Sequence, residues 1–227
     1  MLNTLFRRAA IEVSFFRNKK SPIYTIDPLL RSMNKKYEDI DVYLDFFISA
    51  RKKLSLPTQE PIKLQKNIRF GRNFKSIKRK LLNSLLDFSG NGLLKTDILL
   101  YNYKYRGFPA QTEFHFHENK LFYIECNLGD IAFQDRQELL QEIMDQYNIK
   151  DMETDIQKLS DPHGNILCIE NSNDFKIIMA DTSNSFFTEL SNIEIFYNKK
   201  QSSDKRDKAV YQPISKSQDF AEVKNTG

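Results

Sequence analysis

Apolar residues at Leu2, Leu5, Phe6, Ala9, Val13 and Phe16 recur every three or four positions, the period of an amphipathic helix. Arg7, Arg8 and Glu12 interrupt this stretch and no small-residue cleavage site follows it, so it reads as a helix rather than a signal peptide. The segment from Asn18 to Pro22 stops it. A second helix is predicted from Asp27, an N-cap residue, and Pro28, which suits the first helical position. Leu30, Met33, Tyr37, Ile40, Leu44 and Phe47 then keep one seam, with Arg51 breaking it before Leu54. A continuous helix over 28–54 would be about 40 Å long. The two helices are expected to pair as an antiparallel hairpin over residues 1–56.

Residues 55–66 read as a Pro-containing linker, and Ile68 with Phe70 as a short strand broken by Gly71. Asn73 then caps a helix carrying Phe74, Ile77, Leu81 and Leu85, which the run SGNG (89–92) ends. The period changes to two from residue 97. Leu99, Tyr101, Tyr103 and Tyr105 alternate with Asn102, Lys104 and Arg106, and Phe114 and Phe116 alternate with Glu113, His115 and His117. Turns at 107–109 and 118–120 then make residues 97–127 a three-stranded antiparallel meander. A three-residue second loop would set Phe116 opposite Phe122 and Phe114 opposite Ile124.

Asp135 and Glu138 have the spacing of a capping box ahead of Leu139, Leu140, Ile143, Met144 and Tyr147. The turn at 160–164 leads into strands 165–170 and 175–180. Both are apolar on both faces, which places them in a sheet covered on each side. A short helical turn at 185–191 and a last strand at 192–198 complete the pattern. The fold class is therefore α+β: a basic helical hairpin (1–56), a helix plus three-stranded meander (67–130), a second helix plus antiparallel strands (131–198) and a mobile polar tail (199–227). RFGR (69–72) before one helix and NLGD (127–130) before the other suggest a tandem αβββ repeat.

Composition adds three constraints. With 18 Phe and 10 Tyr but no Trp among 227 residues, the core must be built largely from Phe and Tyr rings. Cys126 and Cys168 are too few for a disulfide framework and read as buried thiols. No apolar run approaches the ~18 residues of a membrane span, and the cytoplasm is the expected compartment. Charge then changes the picture. Residues 1–80 hold 19 Lys and Arg against 7 Asp and Glu, whereas residues 81–227 hold 15 against 23. Either the basic part meets an anionic partner, or the two parts neutralise one another within the fold.

Candidate chemistry is sparse. His115 and His117 leave one strand face, a metal-ligand spacing to which Glu113 and Glu125 could add, but two surface histidines on an open sheet face are the favoured reading. Asp97 with Glu118 and Lys120 has residue types of a metal-dependent nuclease, yet the latter two fall in a turn. There is no G-x-S-x-G elbow and no Gly-rich phosphate loop. No catalytic residue, metal ligand or cofactor is assigned.

Two surfaces remain. The polar side of the meander, with Asn102, Lys104, Arg106, His115, His117 and Tyr123, suits a protein–protein contact. Arg69, Arg72, Lys75, Lys78, Arg79 and Lys80 gather around the start of one helix and suit nucleic-acid phosphates, an anionic membrane or an acidic protein. A glycine before a helix, followed by a meander containing FHFHENKLFYI (114–124), is loosely similar to the outer-membrane lipoprotein and β-lactamase-inhibitor-like αβ family, over residues 68–198 at most. The resemblance implies protein binding rather than catalysis. The expected function is a non-catalytic protein-binding protein of inhibitor or immunity type. The alternative is an anion-binding module contacting nucleic acid or anionic membrane.

Overall fold

The meander predicted between residues 97 and 127 lies inside a larger sheet. The computed structural model describes residues 23–65, 68–81, 84–90, 94–149 and 158–195. The predicted helix at 2–17, and with it the helical hairpin, lies outside these residues, as does the tail from 199 onward. The chain divides into two units, Met1–Thr188 and Glu189–Gly227. The described part of the second, residues 189–195, is helical. Burial there follows a helical period, with Leu190 buried, Ile193 half-buried and Asn192 and Ile195 exposed, which replaces the strand predicted from residue 192.

In the first unit, helices α1 (Ile23–Lys36) and α2 (Asp41–Lys52) precede the two-residue strand β1 (Leu56–Pro57). Helix α3 (Phe74–Leu81) leads into β2 (Leu86–Gly90), β3 (Thr96–Tyr105), β4 (Phe108–His117) and β5 (Lys120–Asn127). Helix α4 (Phe133–Gln146) leads into β6 (Lys158–Ser160), β7 (Asn165–Asn171) and β8 (Phe175–Asp181), and residues 185–188 are again helical. All eight strands form one mixed sheet in the order β1-β6-β7-β8-β5-β4-β3-β2, parallel only between β1 and β6. The architecture is thus α+β, and one sheet joins the two predicted meander units through the antiparallel pair β5 and β8.

The predicted continuous helix over 28–54 is two helices. Residues 37–40 break it, and the Ile40 carbonyl accepts the Tyr43 and Leu44 amides at 3.0 Å to start α2. Helix α1 begins at Ile23, so Asp27 and Pro28 lie inside it. The predicted linker contains β1, while Ile68 and Phe70 make only an isolated bridge and a turn. Asn73 does cap α3, its Oδ1 accepting the Ser76 amide at 2.8 Å. The helix stops at Leu81, and SGNG does not end it: Leu86 and Phe88 alternate inward with exposed Asp87 and Ser89, making a strand that pairs with β3. Helix α4 starts at Phe133 with no side-chain cap, which places Asp135 in its first turn rather than at a capping box.

The hairpin between β4 and β5 turns through Glu118 and Asn119 with φ of 49° and 61°, the tight left-handed turn whose twist matches that of the strands. Its two-residue loop and a bulge after His115 set Phe116 opposite Leu121, not Phe122, while Phe114 does face Ile124. The bulge turns Phe122 out of the cluster that holds Phe116 and Leu121 and onto the rings of Tyr43 and Phe186. Two buried layers result. On one face Ile77 of α3 and Leu139 and Ile143 of α4 pack on Leu99, Phe114, Ile124, Ile177 and Met179. On the other, Tyr37 from the break after α1 and Tyr43 and Phe46 of α2 cover His115 and Tyr123. Each buried Phe contributes roughly 1.5–3 kcal/mol of transfer free energy, so covering both faces is strongly favoured. This matches the apolar pattern of β7 and β8, whose central residues are buried on both sides.

Candidate functional site

Strands β4 and β5 place Glu113 and Glu125 directly opposite one another. Like charges so paired repel. Helix α1 resolves the conflict by inserting Lys36, whose Nζ lies 3.0 Å from Glu113 Oε1 and 3.0 Å from Glu125 Oε1. The Tyr37 hydroxyl donates to Glu113 Oε2 and the Tyr123 hydroxyl to Glu125 Oε2 at 3.1 Å. Lys176 of β8 stands 3.8 Å from Glu125. His115 bridges to α2: its Nε2 lies 3.3 Å from Glu113 Oε2 and its Nδ1 2.8 Å from the Tyr43 hydroxyl, beside Thr96. One connected network therefore joins two helices to four strands, β3, β4, β5 and β8.

Its protonation states follow from burial and charge. Burial works to raise the Glu113 carboxyl, but the His115 hydrogen bond, the Lys36 charge and the Tyr37 hydroxyl outweigh it and hold the group well below the usual carboxylate range. Burial pushes the His115 imidazole down, only partly opposed by Glu113. A neutral ring between these partners carries its proton on Nε2, donating to Glu113 and accepting from Tyr43. Burial also raises Tyr37, Tyr43 and Tyr123, helped by the neighbouring carboxylates, so their hydroxyls stay protonated donors. Burial lowers Lys36, yet Glu113 and Glu125 reverse the shift and keep it charged. The two carboxylates are matched by two ammonium groups, and the residue types of acid–base chemistry are present but engaged with one another. Lys36 and Lys176, 30% and 28% exposed, form the rim.

The predicted protein-binding face is consequently divided. Asn102 and Lys104 are exposed, but His115, His117 and Tyr123 are buried beneath the helices, His117 with its Nδ1 3.1 Å from the Lys95 carbonyl. Arg106 is half-buried and reaches α4, donating to the Glu142 carbonyl at 2.9 Å and to the Gln146 side chain. The expectation of an open sheet face fails because this face also carries Ile98, Leu100, Ile166, Ile178 and Ala180, all of which need cover. Among the described residues no three His, Cys, Asp or Glu side chains gather to hold a metal ion. Asp97 instead accepts from Ser89 at 2.6 Å, and Glu118 and Lys120 sit exposed around the hairpin turn. The thiols lie in different strands and on opposite sheet faces, and burial pushes Cys126 to about 12 and Cys168 to about 11.

The basic set has the opposite fate. Arg69, Arg72, Lys75, Lys78, Arg79 and Lys80 are all exposed, although they come from both a loop and a helix. Ile77 is fully buried, and Phe70, Phe74 and Leu81 pack against the same core, so the apolar stripe of α3 turns its charges outward. Residues 68–81 contain no Asp or Glu, and Lys78 forms an ion pair with Asp87.

In the sequence Tyr37 reads as part of the apolar seam of one long helix, and nothing local marks Lys36 or Tyr43. The available signal was the Glu-x-His and Tyr-x-Glu patterns on adjacent strands, whose carboxylates share one sheet face and need a cation. The chain matches no family model, no curated protein and no solved structure.

Proposed function

We propose that the protein is a non-catalytic binding protein whose contact surface is the exposed basic face of α3 and its preceding loop, and whose partner is a polyanion such as a nucleic acid or an anionic membrane. The carrying observation is the segregation of residues 68–81: six exposed cations, no carboxylate, and an apolar stripe already used in the core. Such a surface raises the local concentration of an anionic partner and steers its approach. The buried Glu113–Lys36–Glu125 network favours binding over catalysis, because its acid–base groups are closed between helices and sheet.

A tandem αβββ origin accords with this scaffold. The segment before α3 bonds to the start of β5, through Gly71 N to Leu121 O and Leu121 N to Arg72 O, both 2.8 Å. The segment before α4 bonds in like manner to the start of β8, through Leu128 N to Phe175 O and Phe175 N to Gly129 O, both 2.9 Å. Strand β2 is then an addition to the first unit.

The test is retention of the full chain on a sulfated polysaccharide column. The double variant Lys75→Glu/Arg79→Glu should elute at clearly lower salt than Lys35→Glu/Lys52→Glu, which changes the net charge equally at exposed positions on other helices. Equal elution of the two variants would show that net charge, not this surface, controls binding.

A further inference from the structure

We infer that the partner of the α3 face is double-stranded nucleic acid, gripped through its phosphate backbone without reading of bases; this rests on the polyanion reading above. Three observations lead there.

The first concerns membranes. A helix that binds a bilayer lays an apolar face into the headgroup boundary. The apolar residues of α3 and its loop are Ile68, Phe70, Phe74, Ile77 and Leu81, and all five are taken up by the protein core. What is exposed in residues 68–81 is charge, Gly71 and Asn73, with no apolar wedge for lipid.

The second concerns single strands. Their sequence-tolerant binding depends on bases stacking on aromatic side chains. The two aromatic residues of 68–81, Phe70 and Phe74, are half-buried, and Phe74 meets Phe116 edge-on at 5.2 Å between centroids. Neither ring of this segment is fully exposed beside the charges.

The third is a match of dimensions. Eight helical residues span about 12 Å, over which one strand of a duplex, rising 3.4 Å per nucleotide, presents roughly three to four phosphates. Lys75, Lys78 and Arg79 fall at i, i+3 and i+4 on one side of the helix, with Arg69 and Arg72 continuing the positive surface along the preceding loop. Arg and Lys side chains reach phosphate oxygens along a backbone without entering a groove. Contacts of this kind position a duplex without reading its bases.

The test measures fluorescence anisotropy of a labelled 20-base-pair duplex of mixed sequence, its single strand, and a scrambled duplex, with the full-length chain. Sedimentation with phosphatidylcholine vesicles containing phosphatidylserine runs in parallel. Duplex binding should be tighter than single-strand binding and equal within about twofold for the two sequences. With about four phosphates neutralised, the slope of log K against log salt should be about −3.5, a loss of roughly 100-fold between 50 and 200 mM salt. Lys75→Glu/Arg79→Glu should reduce affinity at 50 mM at least about tenfold and make the slope shallower by roughly 2, while Lys35→Glu/Lys52→Glu leaves the slope unchanged. Tighter binding of single strand or of vesicles would overturn the duplex assignment and leave the polyanion reading standing. No binding to any of them at 50 mM salt would overturn both. Both variants change exposed positions only, and an unchanged urea midpoint confirms that they fold.

Discussion

Replacing Lys36 with Met keeps the length of the side chain and deletes its charge, leaving two facing carboxylates without their shared cation. Glu113 and Glu125 are 8% and 5% exposed, and each lies 3.0 Å from the ammonium. At an effective dielectric near 20, each contact has a gross Coulomb energy of about 5 kcal/mol, offset by desolvation of all three ions. Removing one partner of a fully buried pair costs about 3–5 kcal/mol. Here Lys36 keeps 30% exposure and Lys176 remains 3.8 Å from Glu125, so about 2–3 kcal/mol is expected. Urea unfolding followed by circular dichroism at pH 7 measures it. Glu113→Gln added to Lys36→Met should recover about 1–2 kcal/mol, because it removes the repulsion that Met exposes. The pH dependence gives an independent check. Glu113 has a depressed folded-state pKa, so its stabilisation is present above the unfolded value of about 4.3 and fades as pH falls through the lower folded value. The gap between wild type and Lys36→Met should therefore be full above about pH 5 and close in more acidic solution. A cost below about 0.5 kcal/mol at pH 7, or no recovery by Glu113→Gln, would refute the view that this network clamps the helices to the sheet.

Two further outcomes follow from the same geometry. His115 stays neutral in the fold while its unfolded counterpart takes up a proton near pH 6.5, so stability should decline below that pH, by up to about 1.4 kcal/mol per unit. Urea titrations at pH 7 and 5.5 test this, and His115→Gln should flatten the decline. Glu118 holds φ at 49° in the two-residue turn, where Asn is better tolerated, so Glu118→Asn should raise stability by about 0.5 kcal/mol, read as a higher urea midpoint at unchanged slope.

Local pattern was enough to reveal the strands that matter most to the core. Alternation from Leu99 to Tyr105, and the Phe114–Ile124 pairing it implies, depend on near neighbours in sequence, and they appear in the sheet as expected. The doubly apolar β7 and β8 announced cover on both faces for the same reason. The Asn73 cap and the apolar stripe of α3 were legible too, and they fixed which side of that helix its charges would take. Strand β2 carried the right alternation at Leu86 and Phe88, but five residues beside Gly and Asn read equally as the end of a helix.

What lay across the other sheet face was not written in any local pattern. His115, His117 and Tyr123 alternate with apolar residues just as solvent-facing side chains do, and segments distant in sequence make them interior: Tyr37 and Tyr43, more than 70 residues before His115, and Phe186, which packs on His117. The same is true of charge. Composition located an excess of cations in the first third, and folding divided them: Lys36 went to neutralise Glu113 and Glu125, while the cations of α3 stayed outside. A sequence specifies which residues seek burial and which helices have two faces, because those depend on neighbours within a few positions. Which buried polar group finds which partner depends on contacts between distant segments, and the cost of leaving an ion unmatched in the interior is what selects them.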